Sequence, residues 1–250
     1  MEQKSILLTM LVIGLVVTSV ILAINMKTGE IVVSGAGEQQ RNTITVSGNG
    51  KVSTQPDKAE LYVKIITEGT TATAAKDANS KISEQVIDAM KNSGVAKSDM
   101  ETSYYYLNKK QEWDDDKKKY VDVGYEVNHV LKVTTKDLDK VGNLLDTAVN
   151  AGANGIDSVV FDLTDEKRKE VSSEALKISS RNAENKARSI ADSVGVKLGK
   201  IIAITESEFK YMPYRVSNVL YEKAEAAPAT EILPQTLEVT ATVSLVYEIN

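Results

Sequence analysis

The sequence predicts an α+β domain: a mixed, largely antiparallel sheet with three helices packed mainly on one face, preceded by an N-terminal transmembrane helix. Two observations lead there. The strand and helix periods follow one another as β β α β β α β α β β, and strands that succeed each other without a helix between them favour antiparallel hairpins over a doubly wound nucleotide fold. The amino end, moreover, carries nineteen residues without a charge, Ile6 to Ile24. The chain divides into an anchor (1–27), a tether (28–42) and a domain (43–250).

As a helix, the run from Ile6 to Ile24 spans about 28 Å, the depth of a bilayer core. Cleaved signal peptides have a shorter apolar region and a small-x-small cleavage site. The exit Ala23-Ile24-Asn25-Met26-Lys27 offers no clean one, which favours an uncleaved anchor. With only Met1 to Lys4 and Ser5 before the run, the domain is expected on the outer side of the cell membrane. The alternative is a secreted or periplasmic protein after signal cleavage.

"TITVSG" opens the domain as a strand, and in "KAELYVKIITEG" Ala59, Leu61, Val63 and Ile65 alternate with Glu60, Tyr62, Lys64 and Ile66, the period of a half-buried strand. Gly48 and Gly50 read as a turn between the two. Ala75, Ala78, Ile82, Val86, Ala89 and Met90 then recur at three and four, a helix that Gly94 can end. "TSYYYLNKKQEW" and "YVDVGYEVNHVLKVTT" form a long hairpin with a charged tip. A second helix has Thr135 as N-cap and Leu138, Val141, Leu145 and Ala148 on one face, and it exits through Gly152 and Gly155 into the strand "IDSVVFDLT". The third helix starts at the N-cap Thr164, with Asp165 and Glu166 suiting its dipole. Its stripe of Val171, Ala175, Ile178, Ala183, Ala187, Ile190 and Val194 is thin enough for close packing on a neighbour. "GKIIAITESEF" is a strand, a polar Tyr-bearing stretch runs to Pro234, and "LEVTATVSLVYEI" closes the chain as a strand.

A net charge of -5 argues against nucleic acid as a partner, since such proteins need a basic surface. The absence of cysteine excludes disulfides, thiolate metal sites and cysteine nucleophiles. Gly50-Lys51 suggests a phosphate loop, but that pattern needs glycine where Thr45 stands and a hydroxyl where Val52 stands. His129 is the sole histidine, so any hydrolytic triad must run through it; a structural role is the simpler reading. Trp113 to Lys119, "WDDDKKK", lacks the alternate spacing of a calcium loop and reads as a solvated tip. No catalytic, cofactor-binding or metal-ligating residue is assigned. Tyr104, Tyr105 and Tyr106, with Trp113, Tyr120 and Tyr125, make the hairpin the most aromatic part of the chain, as core filling or as a partner surface.

"ITVSGNGKVSTQPDKAELYVKI" resembles the opening signature of the SIMPL-domain family, in which a strand, a glycine pair and a Pro-Asp-x-Ala step precede a long strand. "GYEVNHVLKVTTKDLDKVGNLLDTAVNAGANGIDSVVFDLTD", "EALKISSRNAENKARSIADSVGVKLGKIIAITE" and "LEVTATVSLVYEI" extend the resemblance over about residues 43 to 250. One departure is Gln235 after Pro234, where the family often has Pro-Gly. The family includes periplasmic immunogenic proteins and an oxidative-stress defence protein, and some members resemble subunits of ring-like or channel-like assemblies. The resemblance implies an extracytoplasmic α+β domain with no catalytic residue set to transfer. The expected role is non-enzymatic: self-assembly or envelope-protein contacts, in a membrane-held domain that could serve stress defence. The alternative is a carbohydrate-binding or hydrolytic domain using acidic residues of the hairpin and the 209–234 loop.

Overall fold

The computed structural model describes residues 42–207, 209–219 and 232–250. The expected anchor Ile6–Ile24 and nearly all of the tether lie outside them, and no helix among the described residues is long and apolar enough to cross a membrane. The described chain runs β1 (Thr43–Thr54), β2 (Lys58–Gly69), α1 (Ala72–Asn92), β3 (Met100–Asp114), β4 (Lys119–Thr135), α2 (Val141–Asn150), β5 (Gly155–Asp162), α3 (Asp165–Val194), β6 (Leu198–Glu206), β7 (Lys210–Tyr211), β8 (Tyr214–Val219) and β9 (Leu237–Ile249). The class is α+β, as expected.

The expected single sheet is two. β3, β4, β2, β5 and β8 form one in that order; β1, β9 and β6 form the other, with β7 also on β9. Every pairing among them is antiparallel. The correction has a plain cause: alternation tells which face of a strand is buried but not which strand lies beside it. β1 does not turn back onto β2. It runs along β9 from Thr43 opposite Glu248 to Thr54 opposite Leu237, and the chain then crosses to the other sheet through buried Pro56.

Gly48 and Gly50 are therefore not a turn. They sit inside β1, under α3, whose buried stripe is Val171, Ser172, Ala175, Ser179, Ala183, Ala187 and Ala191. A Cβ on Gly48 would lie 2.9 Å from the Ala183 Cα, and one on Gly50 would lie 2.7 Å from the Ser179 amide nitrogen. The glycines let helix backbone and strand backbone touch. Ile190 and Val194, expected on this stripe, are instead exposed. Residues spaced by four advance about 40° past each full turn, so the contact line has walked around the helix before it reaches them.

The larger core joins Ala59, Leu61, Val63 and Ile65 of β2, none with any exposure, to Val86 and Met90 of α1, Leu144 and Leu145 of α2 and Phe161 of β5. The α1 face is rotated slightly from expectation, with Ala75, Asn79, Ser83, Val86 and Met90 buried, so two polar residues lie on it. Gly94, at φ +90°, ends that helix as expected. Thr164 caps α3 by accepting the Lys167 N–H at 3.3 Å, also as expected. Thr135 does not cap α2. It ends β4 and accepts the Asp137 N–H at 3.1 Å, after which a 3₁₀ turn at Leu138–Lys140 leads into the helix. β8 was hidden in the Tyr-bearing stretch, although Tyr214 and Val216, half-buried between exposed Arg215 and Ser217, carry a strand period.

Candidate functional site

The β3–β4 hairpin outruns its sheet. β2 ends with Gly69 opposite Tyr125, and beyond Lys110 and Gly124 the two strands pair only with each other, down to Asp114 opposite Lys119. Such a ribbon has two open faces. It carries Trp113 and Tyr120, 50% and 66% exposed, with ring centroids 5.3 Å apart in an edge-on arrangement. Nearer the sheet, Tyr104 and Tyr106 lie 5.4 Å apart, with Tyr106 58% exposed. The aromatic cluster divides between its two readings: Trp113, Tyr120 and Tyr106 are exposed, whereas Tyr105 packs its ring against buried His129, centroids 5.4 Å apart, on the helix-facing side of the sheet.

Three acidic residues of the ribbon, Asp114, Asp115 and Asp122, are engaged in its own construction. Asp114 accepts the Asp116 and Lys117 N–H groups at 3.1 and 2.9 Å and the Lys117 ammonium at 2.7 Å. These contacts hold its carboxyl below the ordinary range, the Lys117 side chain contributing most. Asp122 meets Gln111 at 2.7 Å and Lys109 at 2.6 Å, and Asp115 takes the Trp113 indole N–H at 3.1 Å. The tip is a charged turn, as its sequence suggests. Of the hairpin carboxylates on which a carbohydrate-binding or hydrolytic domain would draw, Asp114, Asp115 and Asp122 are thus tied into the ribbon itself. Of the 209–234 loop invoked beside them, residues 220–231 lie outside the described residues.

His129 lies opposite Ile65 on the helix-facing side of β4. Its Nδ1 is 2.9 Å from Ser83 Oγ and 3.2 Å from Asn79 Oδ1, and its Nε2 is 3.1 Å from Thr102 Oγ1. Asn79 donates its amide to the Ile65 carbonyl at 3.1 Å, so Oδ1 faces the ring. That orientation selects the Nδ1–H tautomer, which donates to Asn79 while Nε2 accepts the Thr102 hydroxyl. The group knits α1 to β3 and β4. Sequence reading missed Asn79, Ser83 and Thr102; the first two were detectable as polar residues four apart on an apolar helix face.

The order hydroxyl, imidazole, amide resembles a hydrolytic relay in outline, and a relay also needs a substrate cleft beside the hydroxyl. One cleft of about 320 Å³ lies away from this group, lined by residues including Ser93, Asp99, Thr135, Asp137, Lys140 and Leu144, and Asp137 in it is paired with Lys140 at 3.0 Å. Among the described residues, no three of His, Asp and Glu gather as a metal site.

Burial holds His129 below the ordinary imidazole value. A neutral group whose folded pKa is depressed loses stability to the unfolded chain as pH falls below about 6.5, where the unfolded histidine takes up its proton. Stability is therefore expected to be full above that value and to drop toward the lower folded pKa. Denaturant titrations at pH 7.5 and 5.5 check this. The wild type should be weaker at the lower pH and His129→Gln should show a smaller difference; equal pH responses would remove His129 as the cause.

A family model described as SIMPL, a protein of unknown function (DUF541), matches residues 44–247. The chain belongs to the SIMPL family. Among SIMPL relatives, the 26 kDa periplasmic immunogenic protein of Brucella melitensis is 32% identical over 207 residues, covering 80% of this chain and 82% of its own. A YggE protein of Escherichia coli K12 is 29% identical over 188 residues, covering 75% and 74%. One from Edwardsiella ictaluri is 28% identical over 170 residues, covering 68% and 70%. The SIMPL resemblance seen in the sequence is thus confirmed, and the Pro-Asp step of its signature acquires a structural place: Asp57 reaches across to Thr164 at the start of α3.

Proposed function

We propose that this SIMPL domain is a non-catalytic, membrane-held module on the outer side of the cell membrane, working through contacts with copies of itself or with envelope proteins. The observation that carries the reading is the two-stranded ribbon, with Trp113 and Tyr120 exposed near its tip. Aromatic side chains of this kind supply large contact area with few rotatable bonds and are enriched in protein interfaces. An extracytoplasmic setting is supported by the periplasmic relative from Brucella and by the apolar run Ile6 to Ile24. Service in stress defence would work without thiol chemistry, since the chain has no cysteine to oxidise.

The test is a photo-crosslinking amino acid placed at Tyr120 in the full-length chain in intact cells, with the exposed α3 position Lys177 as control. The expected result is a discrete adduct from position 120, identified by mass spectrometry as this chain or one envelope protein, and lost on Trp113→Ala. No adduct at 120, or the same adducts from both positions, overturns the reading.

A further inference from the structure

Asn128 holds a polar atom that the fold leaves without a partner. Its neighbour His129 faces the helices, so by alternation Asn128 points to the other face of the five-stranded sheet. There its side-chain Oδ1 is buried and meets no hydrogen-bond donor, the one such side-chain atom among the described residues. Buried polar atoms are nearly always satisfied, and leaving one unmatched costs stability. A leucine of similar size would avoid that cost.

The surroundings indicate what would satisfy it. β3 and β4 pair without a register shift from Tyr104 opposite Val130 to Lys110 opposite Gly124, and β2 and β4 pair without one throughout. Tyr104, Tyr106, Glu126 and Asn128 therefore share this face. α1 and α2 pack on the opposite face, and α3 packs on the other sheet. Tyr106 stands directly opposite Asn128 and is 58% exposed, with the Tyr104 ring tilted 42° to its own at 5.4 Å. Phenol rings attract a cation to their faces.

Charge points the same way. Lys64, on this face, is bonded to Asp157 at 3.0 Å, and Lys110 is bonded to Glu68 at 2.8 Å with Glu112 3.7 Å away. An anionic ligand would have to displace these carboxylates. Glu126, two residues from Asn128 on the same strand, is half-buried; it feels Lys110 through space but enters no salt bridge among the described residues. The carboxylates do not gather as a metal site. An organic cation with N–H groups answers the amide oxygen, the rings and Glu126 together.

We infer that this face binds a primary alkylammonium group, which donates to Asn128 Oδ1, lies against the Tyr106 ring and has its charge met by Glu126. Tyr106 is exposed enough to change rotamer within nanoseconds, and its swing opens the oxygen to the ligand. The site is separate from Trp113 and Tyr120 and does not rest on the ribbon reading.

The experiment is isothermal titration calorimetry of spermidine into the full-length chain in non-ionic detergent micelles. Saturable binding that weakens with added salt is expected. Glu126→Gln should weaken it about tenfold, as for loss of a charge-assisted hydrogen bond, and Tyr106→Ala about fivefold. Asn128→Leu should lose binding while raising Tm by about 2 to 4 °C, a pairing of effects that a structural amide would not give. Nα-acetyl-lysine amide presents the same group as a partner protein's lysine would. The tighter of the two binders names the source, and either one supports the site. No binding of either at millimolar concentration overturns the inference. So does spermidine binding that Tyr106→Ala and Asn128→Leu leave unchanged, which is attraction to net charge alone. A lower Tm in Asn128→Leu, or tighter binding of the neutral probe maltotriose than of both amines, also overturns it.

Discussion

Gly50→Ala is expected to cost about 3 kcal/mol of stability, at the upper end of what added volume costs in a packed interior. The new methyl would lie 2.7 Å from the Ser179 amide nitrogen and nearer still to the Ala175 carbonyl oxygen. Both atoms are helix backbone, so no rotamer change relieves the contact. α3 must slide or lift as a body, and lifting strips Ala183 and Ala187 from their packing against Val46, Val243 and Leu245. For a domain of this size each kcal/mol lowers Tm by about 2 to 4 °C, so a fall of about 6 to 12 °C should accompany the change. Gly94→Ala separates crowding from backbone strain. Its φ is +90° and no atom lies within 4 Å of the added carbon, so only the left-handed conformation is penalised, at about 1 to 2 kcal/mol. Thermal and denaturant unfolding of both variants decides the matter. A loss below about 1 kcal/mol at Gly50 would mean that α3 yields freely and that close approach does not explain the glycine.

Most elements of this fold could be read from period alone, because burial on one face imposes it. β2 shows this most clearly: the four alternating residues Ala59, Leu61, Val63 and Ile65 are all fully buried. Neighbourhood could not be read in the same way. β1 and β9 are the two ends of the domain, and nothing local in "TITVSGNGKVST" names "LEVTATVSLVYEI" as its partner. The glycines were misassigned for a related reason. A turn and a crowded strand both call for glycine, and only the helix overhead distinguishes them. The aromatic hairpin was legible as a feature but not as a surface, since its exposure depends on β2 ending at Gly69 while β3 and β4 continue. The polar group at His129 depends on residues brought together from α1, β3 and β4. Half of it showed in sequence, as Asn79 and Ser83 interrupting an apolar helix face.

Asp57→Ala should destabilise the domain by about 2 to 3 kcal/mol, the range for losing hydrogen bonds to a charged group while stranding a buried donor. The Asp57 carboxylate accepts the Thr164 N–H and the Thr164 hydroxyl, both at 2.7 Å, and its own N–H donates to the Asp162 carbonyl at 3.2 Å. Thr164 in turn caps α3, so the carboxylate forms an outer tier of the same cap, at the end of the helix where negative charge is favoured. It also binds the crossing from β1 to β2 against the passage from β5 into α3, and so ties together segments that belong to the two sheets. Asp57→Asn keeps an acceptor oxygen and should cost about 1 kcal/mol, the net worth of an ordinary hydrogen bond. Thr164→Ala removes the inner tier and should also cost about 1 kcal/mol. Because the carboxylate and the hydroxyl share a bond, the double variant Asp57→Ala with Thr164→Ala should cost less than the sum of the two singles. Denaturant titration of the four proteins measures that coupling, and amide exchange at Thr164 and Lys167 locates it. Strict additivity, with exchange at these amides unchanged in Asp57→Ala, would mean that Asp57 acts somewhere other than at the start of α3.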